Sequence, residues 1–134
     1  MVNSVFLDTN IILDFLDSKR KHHNEAKTLF EVLILNDYEV FISEDILSTI
    51  YYIHKDKPTV LRFFQAILEQ WIVVPYTTEL ISKAIQICLD QGEDLEDALQ
   101  CLCAKEHDCR YLITNDKRFL DCGIEVIGYD FGKL

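Results

Sequence analysis

The chain has 134 residues, of which 49% are hydrophobic, enough for one domain with a substantial core and too apolar for a disordered chain. Its 13 basic residues against 23 acidic ones leave a net charge of −10, which argues against a protein that grips nucleic acid by general electrostatics, because neutralising phosphates takes Lys and Arg. A phosphate-bearing substrate would need local help, from a metal ion held by carboxylates or from a small cluster such as Lys19-Arg20-Lys21 or Lys117-Arg118.

Val5-Phe6-Leu7, with a start as early as Val2, is a short apolar run of β type, and Asn10 is suited to cap a helix through about Asp17. From His22 to Asn36 the apolar positions Ala26, Leu29, Phe30 and Leu33 repeat at helical spacing, and Tyr38 to Ile42 reads as a strand. Ser43 is placed to cap the next helix, with its stripe at Ile46, Leu47, Ile50 and Ile53, and Pro58 opens another that runs to about Gln70. Trp71 to Val74 is a strand stopped by Pro75. Thr77 or Thr78 starts a helix through about Asp90 that buries Leu80, Ile81, Ala84, Ile85 and Cys88. A helix from Asp94 to about His107, a strand at Tyr111 to Ile113, a short helical turn around Phe119 and a last strand at Glu125 to Ile127 complete the order.

Apolar strands separated by helices predict an α/β fold, a central parallel sheet of about four to five strands covered on both faces, in one domain spanning residues 1–134. No basic segment precedes the first apolar run, no small-residue cleavage site follows it, and no stretch approaches the about 20 residues that span a bilayer, so a cytoplasmic protein is expected. The five cysteines lack paired C-x-x-C spacing and read as buried thiols rather than a disulfide frame. On a helix Cys101 and Cys103 point about 200° apart, which spoils a shared metal site.

In open parallel sheets ligands bind beyond the carboxyl ends of the strands. Asp8 follows the first strand and Asp116 follows the strand at Tyr111 to Ile113, so both acids should emerge at one sheet edge. Asp94 and Asp97 are three residues apart and share a helix face beside the stripe Leu95, Ala98, Leu99 and Leu102, while Glu96 is expected to point away into solvent. Each acid also has a common structural role: a helix cap for Asp8, dipole stabilisation for Asp94 and Asp97, an Asx turn for Asp116. Together at one edge they suit a different task, because converging carboxylates need protons or a cation to offset their repulsion. Mg²⁺ or Mn²⁺ takes carboxylate oxygens and activates water against a phosphodiester. Asp14, a turn beyond Asp8, is expected to have no partner in this cluster.

LDTNIILDFL near the start, DLEDALQ at Asp94 to Gln100 and LITNDKRF at Leu112 to Phe119 resemble the ordered motifs of the PIN domain, the metal-dependent ribonuclease module of VapC-type toxins. The resemblance covers nearly the whole chain. It implies a Mg²⁺- or Mn²⁺-dependent site that cleaves RNA, with Asp8, Asp97 and Asp116 as ligands and catalytic acids and Asp94 as an additional ligand. Thr114 and Asn115 would orient the site and the substrate, and Asn10 would support the first loop. Similar toxins dimerise and are silenced by a small antitoxin protein, so a homodimer and such a partner are implied. One position departs from the pattern: Thr49 stands where similar domains carry a second acid, with Glu44 and Asp45 a turn or more earlier and suited to the helix dipole. That departure keeps a second reading open, a degenerate module that binds RNA or protein without cutting. A haloacid-dehalogenase-type phosphotransferase would need an aspartate two residues after Asp8, where Asn10 stands.

Lys19 to His23 reads as a solvated connecting loop, and Tyr51, Tyr52, Phe63, Phe64 and Trp71 as packing residues.

Overall fold

β-Branched and aromatic residues dominate the short runs that pair into the sheet, as expected where side chains crowd a buried pleated surface. The computed structural model describes residues 3–116, 121–130, 132 and 134. Its strands are β1 (Ser4–Leu7), β2 (Glu39–Ser43), β3 (Ile72–Val74), β4 (Tyr111–Ile113) and β5 (Glu125–Ile127), hydrogen-bonded in the order β3-β2-β1-β4-β5. All four pairings are parallel. Val2, Lys117-Arg118 and the expected turn around Phe119 lie outside the described residues.

The helices are α1 (Thr9–Leu16), α2 (His23–Leu35), α3 (Asp45–Ile53), α4 (Lys57–Gln70), α5 (Thr78–Gln91) and α6 (Leu95–Glu106). Alternation along β1 divides the core, since successive side chains of a strand leave opposite faces. Val5 and Leu7 join Val40, Ile42 and Ile113 under α1 to α4, whereas Phe6 joins Phe41, Val74 and Leu112 against α5 and α6. Both faces of β1 are therefore covered, and all four of its residues are buried. Fixing β1 in this way fixes the residue that follows it.

The chain moves outward from β1 through β2 to β3, then returns to the other side of β1 as β4. Between β1 and β4 the strand order reverses, and such a switch point opens a crevice at the carboxyl ends of the two strands. Leu7 pairs with Ile113 there, and the Asp8 amide extends the ladder by donating to the Ile113 carbonyl at 3.0 Å. Asp8 and the Thr114–Asp116 step thus leave the sheet side by side.

Several boundaries differ from the sequence reading. Asp8, not Asn10, occupies the N-cap position of α1, because the helix begins at Thr9 directly after the strand. Ser43 does not cap α3: it ends β2 inside the core and accepts a hydrogen bond from the Tyr76 hydroxyl at 2.9 Å, leaving Glu44 at the cap position. Asp56 caps α4 and Thr77 caps α5, their side chains accepting the amides of Thr59 and Leu80. Helix α5 buries Leu80 and Ala84 but leaves Ile81 and Ile85 exposed, since only a narrow line of it meets α6. Cys101 and Cys122 are joined as a disulfide with their Cα atoms 6.1 Å apart, contrary to the expectation of thiols throughout, while Cys88, Cys103 and Cys109 are free. No helix among the described residues is long and apolar enough to cross a membrane.

Candidate metal centre

Asp8 follows directly on the carboxyl end of β1 and is 7% exposed. Although it holds the N-cap position, its carboxylate makes no capping bond; Oδ2 accepts the Thr114 hydroxyl at 2.7 Å instead. Burial pushes the Asp8 carboxyl up from its usual range, opposed by hydrogen bonds from Thr114 and Gln100 and reinforced by the charge of Asp116. Thr114, itself buried, also accepts the Asp116 amide on Oγ1 at 3.1 Å, while its own amide donates to the Ile127 carbonyl at 3.0 Å. One hydroxyl therefore ties the loop after β1 to the loop after β4 and orients both acids.

Helix α6 brings the third element. Asp94 caps it, accepting the Asp97 amide at 3.1 Å. Asp97 follows one turn in, and its carboxyl is pushed up to about 6, first by burial and then by the charges of Asp94, Asp116, Asp8 and Glu96. The charges that bear on Asp97 thus come from the loop after β1, the loop after β4 and its own helix start. Asn115 and Asp116 line a crevice of about 430 Å³ together with Asn10, Arg20 and Lys21. Asn10 lies in the first turn of α1, and its Oδ1 accepts from the Arg20 guanidinium at 3.4 Å.

Glu96 is exposed, as expected from the stripe, but its carboxylate is not without contacts. Its Oε1 accepts from the Thr9 hydroxyl and from the Gln100 amide, each at 3.5 Å, and burial together with Asp8, Asp45 and Asp94 raises its carboxyl. The buried face of α6 differs from the expected stripe: it is made by Ala98, Gln100, Cys101, Cys103 and Ala104, while Leu95 stays exposed. Gln100 is fully buried and went unnoticed; its position four residues after Glu96 and three after Asp97 was the available signal. On α3, Thr49 turns its hydroxyl back to the Asp45 carbonyl at 3.3 Å. Glu44 is exposed, but Asp45 is half-buried and its charge bears on Glu96.

Asp14 does have partners, outside this cluster. It is 3% exposed, with Oδ1 on the Arg20 Nε at 2.7 Å and Oδ2 accepting the Tyr129 hydroxyl at 2.6 Å. The Asp14 carbonyl meets His23 Nδ1 at 2.9 Å, so the Lys19 to His23 stretch is anchored rather than freely solvated.

The donor set around Asp8 is all oxygen and carries no basic nitrogen within its described hydrogen bonds. Two buried oxygens, Gln100 Oε1 on a side chain that hydrogen-bonds Asp8 and Asp45 Oδ1 on the neighbouring helix α3, have no hydrogen-bond partner among the described residues. Unpartnered buried oxygens among anionic carboxylates fit a hard divalent cation, which takes oxygen ligands and offsets their charge. Among the described residues no group of three or more His, Cys, Asp or Glu side chains is arranged to hold a metal ion by itself. Mg²⁺ does not need such a group, since it binds through one or two carboxylates and keeps several waters.

Residues 5–124 match the family model of the PIN domain. Ribonuclease VapC1 of Aquifex aeolicus (strain VF5) is 31% identical over 129 residues, 92% of this chain and 88% of that protein. A toxin-antitoxin complex from Klebsiella pneumoniae has a chain of the same fold, with a TM-score of 0.72 at 20% identity over 94% of this chain and 98% of that one. VapC20 of Mycobacterium tuberculosis, a Sarcin-Ricin loop cleaving toxin, gives a TM-score of 0.72 at 16% identity over 90% and 95% of the two chains.

Proposed function

The chain belongs to the PIN-domain family, and from that footing we propose that it is a divalent-metal-dependent endoribonuclease and the toxin of a toxin–antitoxin pair. The observation that carries this reading is the Thr114 hydroxyl at the β1/β4 switch point, which binds the Asp8 carboxylate and the Asp116 amide together, with the acid-rich start of α6 carrying Asp97. We assign these three carboxylates to an Mg²⁺ or Mn²⁺ ion, with Asp94 as an additional ligand through the oxygen its cap leaves over. When bound, the ion polarises a phosphoryl oxygen and activates water for in-line attack on an RNA phosphodiester.

The chain's own residues do the rest. Thr114 holds the Asp8 carboxylate and the Asp116 loop in register. Gln100 and Thr114, both buried, keep bulk water from the floor of the site and leave the approach open above it. Arg20 and Lys21 border the crevice beside Asp116, where they supply the local positive charge that a chain of net −10 otherwise lacks against RNA phosphates. Asn10 and Asn115 offer amides to the sugar or base edge of a bound nucleotide.

A ribonuclease VapC1 relative and a solved toxin-antitoxin complex support an antitoxin protein as partner. The exposed side chains of Ile34, Leu35, Tyr52 and Leu68 supply apolar surface for that partner or for a second copy of the chain in a homodimer. We place the protein in the cytoplasm, where an RNA target is available. Purified protein with Mn²⁺ should cleave RNA and lose that cleavage on Asp8→Asn or Asp97→Asn; variants as active as the parent would remove the mechanism. Thr49 supports the rival reading, a module that binds without cutting, and calorimetric titration with Mn²⁺ separates the two. Binding lost on Asp116→Asn favours the nuclease, and no binding favours the module.

A further inference from the structure

Resting on that metal-dependent reading, we infer that Glu96, held against Asp8 by the buried amide of Gln100, supplies the acidic metal ligand that Thr49 does not. Thr49 is neutral, and its hydroxyl is engaged with the carbonyl of its own helix. Glu96 reaches in from α6 instead. Its Oε1 crosses to the Thr9 hydroxyl at the start of α1, 87 residues away in sequence and adjacent to Asp8. Glu96 is exposed in the first turn of α6, which suits the helix dipole, but the dipole alone does not require a contact to another element. This side chain spans two elements at the mouth of the site.

Gln100 is the second, independent observation. Its side chain is completely buried, its Nε2 reaches Glu96 Oε1 at 3.5 Å, and it also hydrogen-bonds the Asp8 carboxylate. Burying an amide between two carboxylates is unfavourable unless its groups are satisfied, yet Gln100 Oε1 has no partner among the described residues. The arrangement makes sense if the amide is an orienting group whose N–H groups draw Asp8 and Glu96 together. The two contacts to Glu96 are long, at 3.5 Å each, so the carboxylate keeps lone pairs free for an ion. Asp45, whose buried Oδ1 also lacks a partner among the described residues, adds negative charge that bears on Glu96.

The test is Mn²⁺ titration of EDTA-stripped full-length protein by calorimetry, with circular-dichroism melts confirming the fold of each variant. Glu96→Gln should weaken Mn²⁺ binding at least about tenfold, in line with the loss of a metal-site partner. Adding Thr49→Glu to Glu96→Gln should recover most of that affinity, because it returns an acid to the usual position. Parent-like Mn²⁺ binding in Glu96→Gln, alongside lost binding in Asp97→Asn, would overturn this inference and leave the nuclease reading standing. A parent that binds no Mn²⁺ would overturn both. Glu96→Asp, which keeps the charge on a shorter arm, should fall between parent and Glu96→Gln; binding as weak as in Glu96→Gln with an intact fold supports a position-sensitive ligand, and parent-like binding opposes it.

Discussion

Removing the charge of Asp97 should make the metal-free protein more stable while it abolishes metal binding. The carboxyl rises from its ordinary 3.8 to about 6 because burial and four neighbouring acids oppose its ionisation. In a fully desolvated setting that rise corresponds to about 3 kcal/mol of destabilisation at neutral pH. Asp97 is only half-buried, and solvent screening reduces the expected figure to about 1 kcal/mol. The folded state binds this proton more tightly than the unfolded chain, so the destabilisation is absent below 3.8, grows between 3.8 and about 6, and is complete above. Asp97→Asn keeps the backbone amide that Asp94 caps, so the helix start survives. In EDTA at pH 7.5 the variant should melt about 4 °C above the parent by circular dichroism, and the gain should shrink towards zero at pH 4. Saturating Mn²⁺ should reverse the order, since a ligand at about a hundred times its dissociation constant stabilises only the binding-competent parent, by about 2.7 kcal/mol. A variant that melts at or below the parent in EDTA at pH 7.5, or a gain equal at both pH values, would refute the reasoning.

Thr114→Val removes the donor to Asp8 and the acceptor for the Asp116 amide together, and should weaken Mn²⁺ binding by about ten- to a hundredfold in calorimetry with little change in shape or volume. Asp14→Ala breaks a buried pair and leaves Arg20 Nε and the Tyr129 hydroxyl without their acceptor. Arg20 keeps 34% of its side chain exposed, so a loss of about 2 kcal/mol is expected in urea denaturation, below the range for a fully buried pair, with Mn²⁺ affinity unchanged. Arg20→Ala should raise KM for RNA more than it lowers kcat and should reduce the slope of log KM against log salt by about 1, the signature of one lost phosphate contact.

Much of the site was legible because it is built from local order. An apolar run that stops at Asp8, and another that stops just before Thr114-Asn115-Asp116, place both acids at strand ends whatever the details of packing. What escaped depends on which face of a helix is buried. Hydrophobicity put the stripe of α6 on Leu95, but the fold buries Gln100, Cys101 and Cys103, and that rotation brings Glu96 to Thr9. Asp14 was set aside for a similar reason: its hydroxyl partner, Tyr129, comes from 115 residues away, beyond the reach of any local pattern. The caps assigned to Asn10 and Ser43 failed by one or two positions, since strand pairing carries the chain to Asp8 and Ser43 before either helix begins.

The most direct measurement is cleavage of a single-stranded RNA by the purified protein, with parent in Mn²⁺, parent in EDTA and Asp8→Asn in Mn²⁺ run side by side. A metal-dependent nuclease centred on Asp8, Asp97 and Asp116 cuts in the first condition and in neither of the others. Equal cutting in EDTA, or by Asp8→Asn, would contradict it.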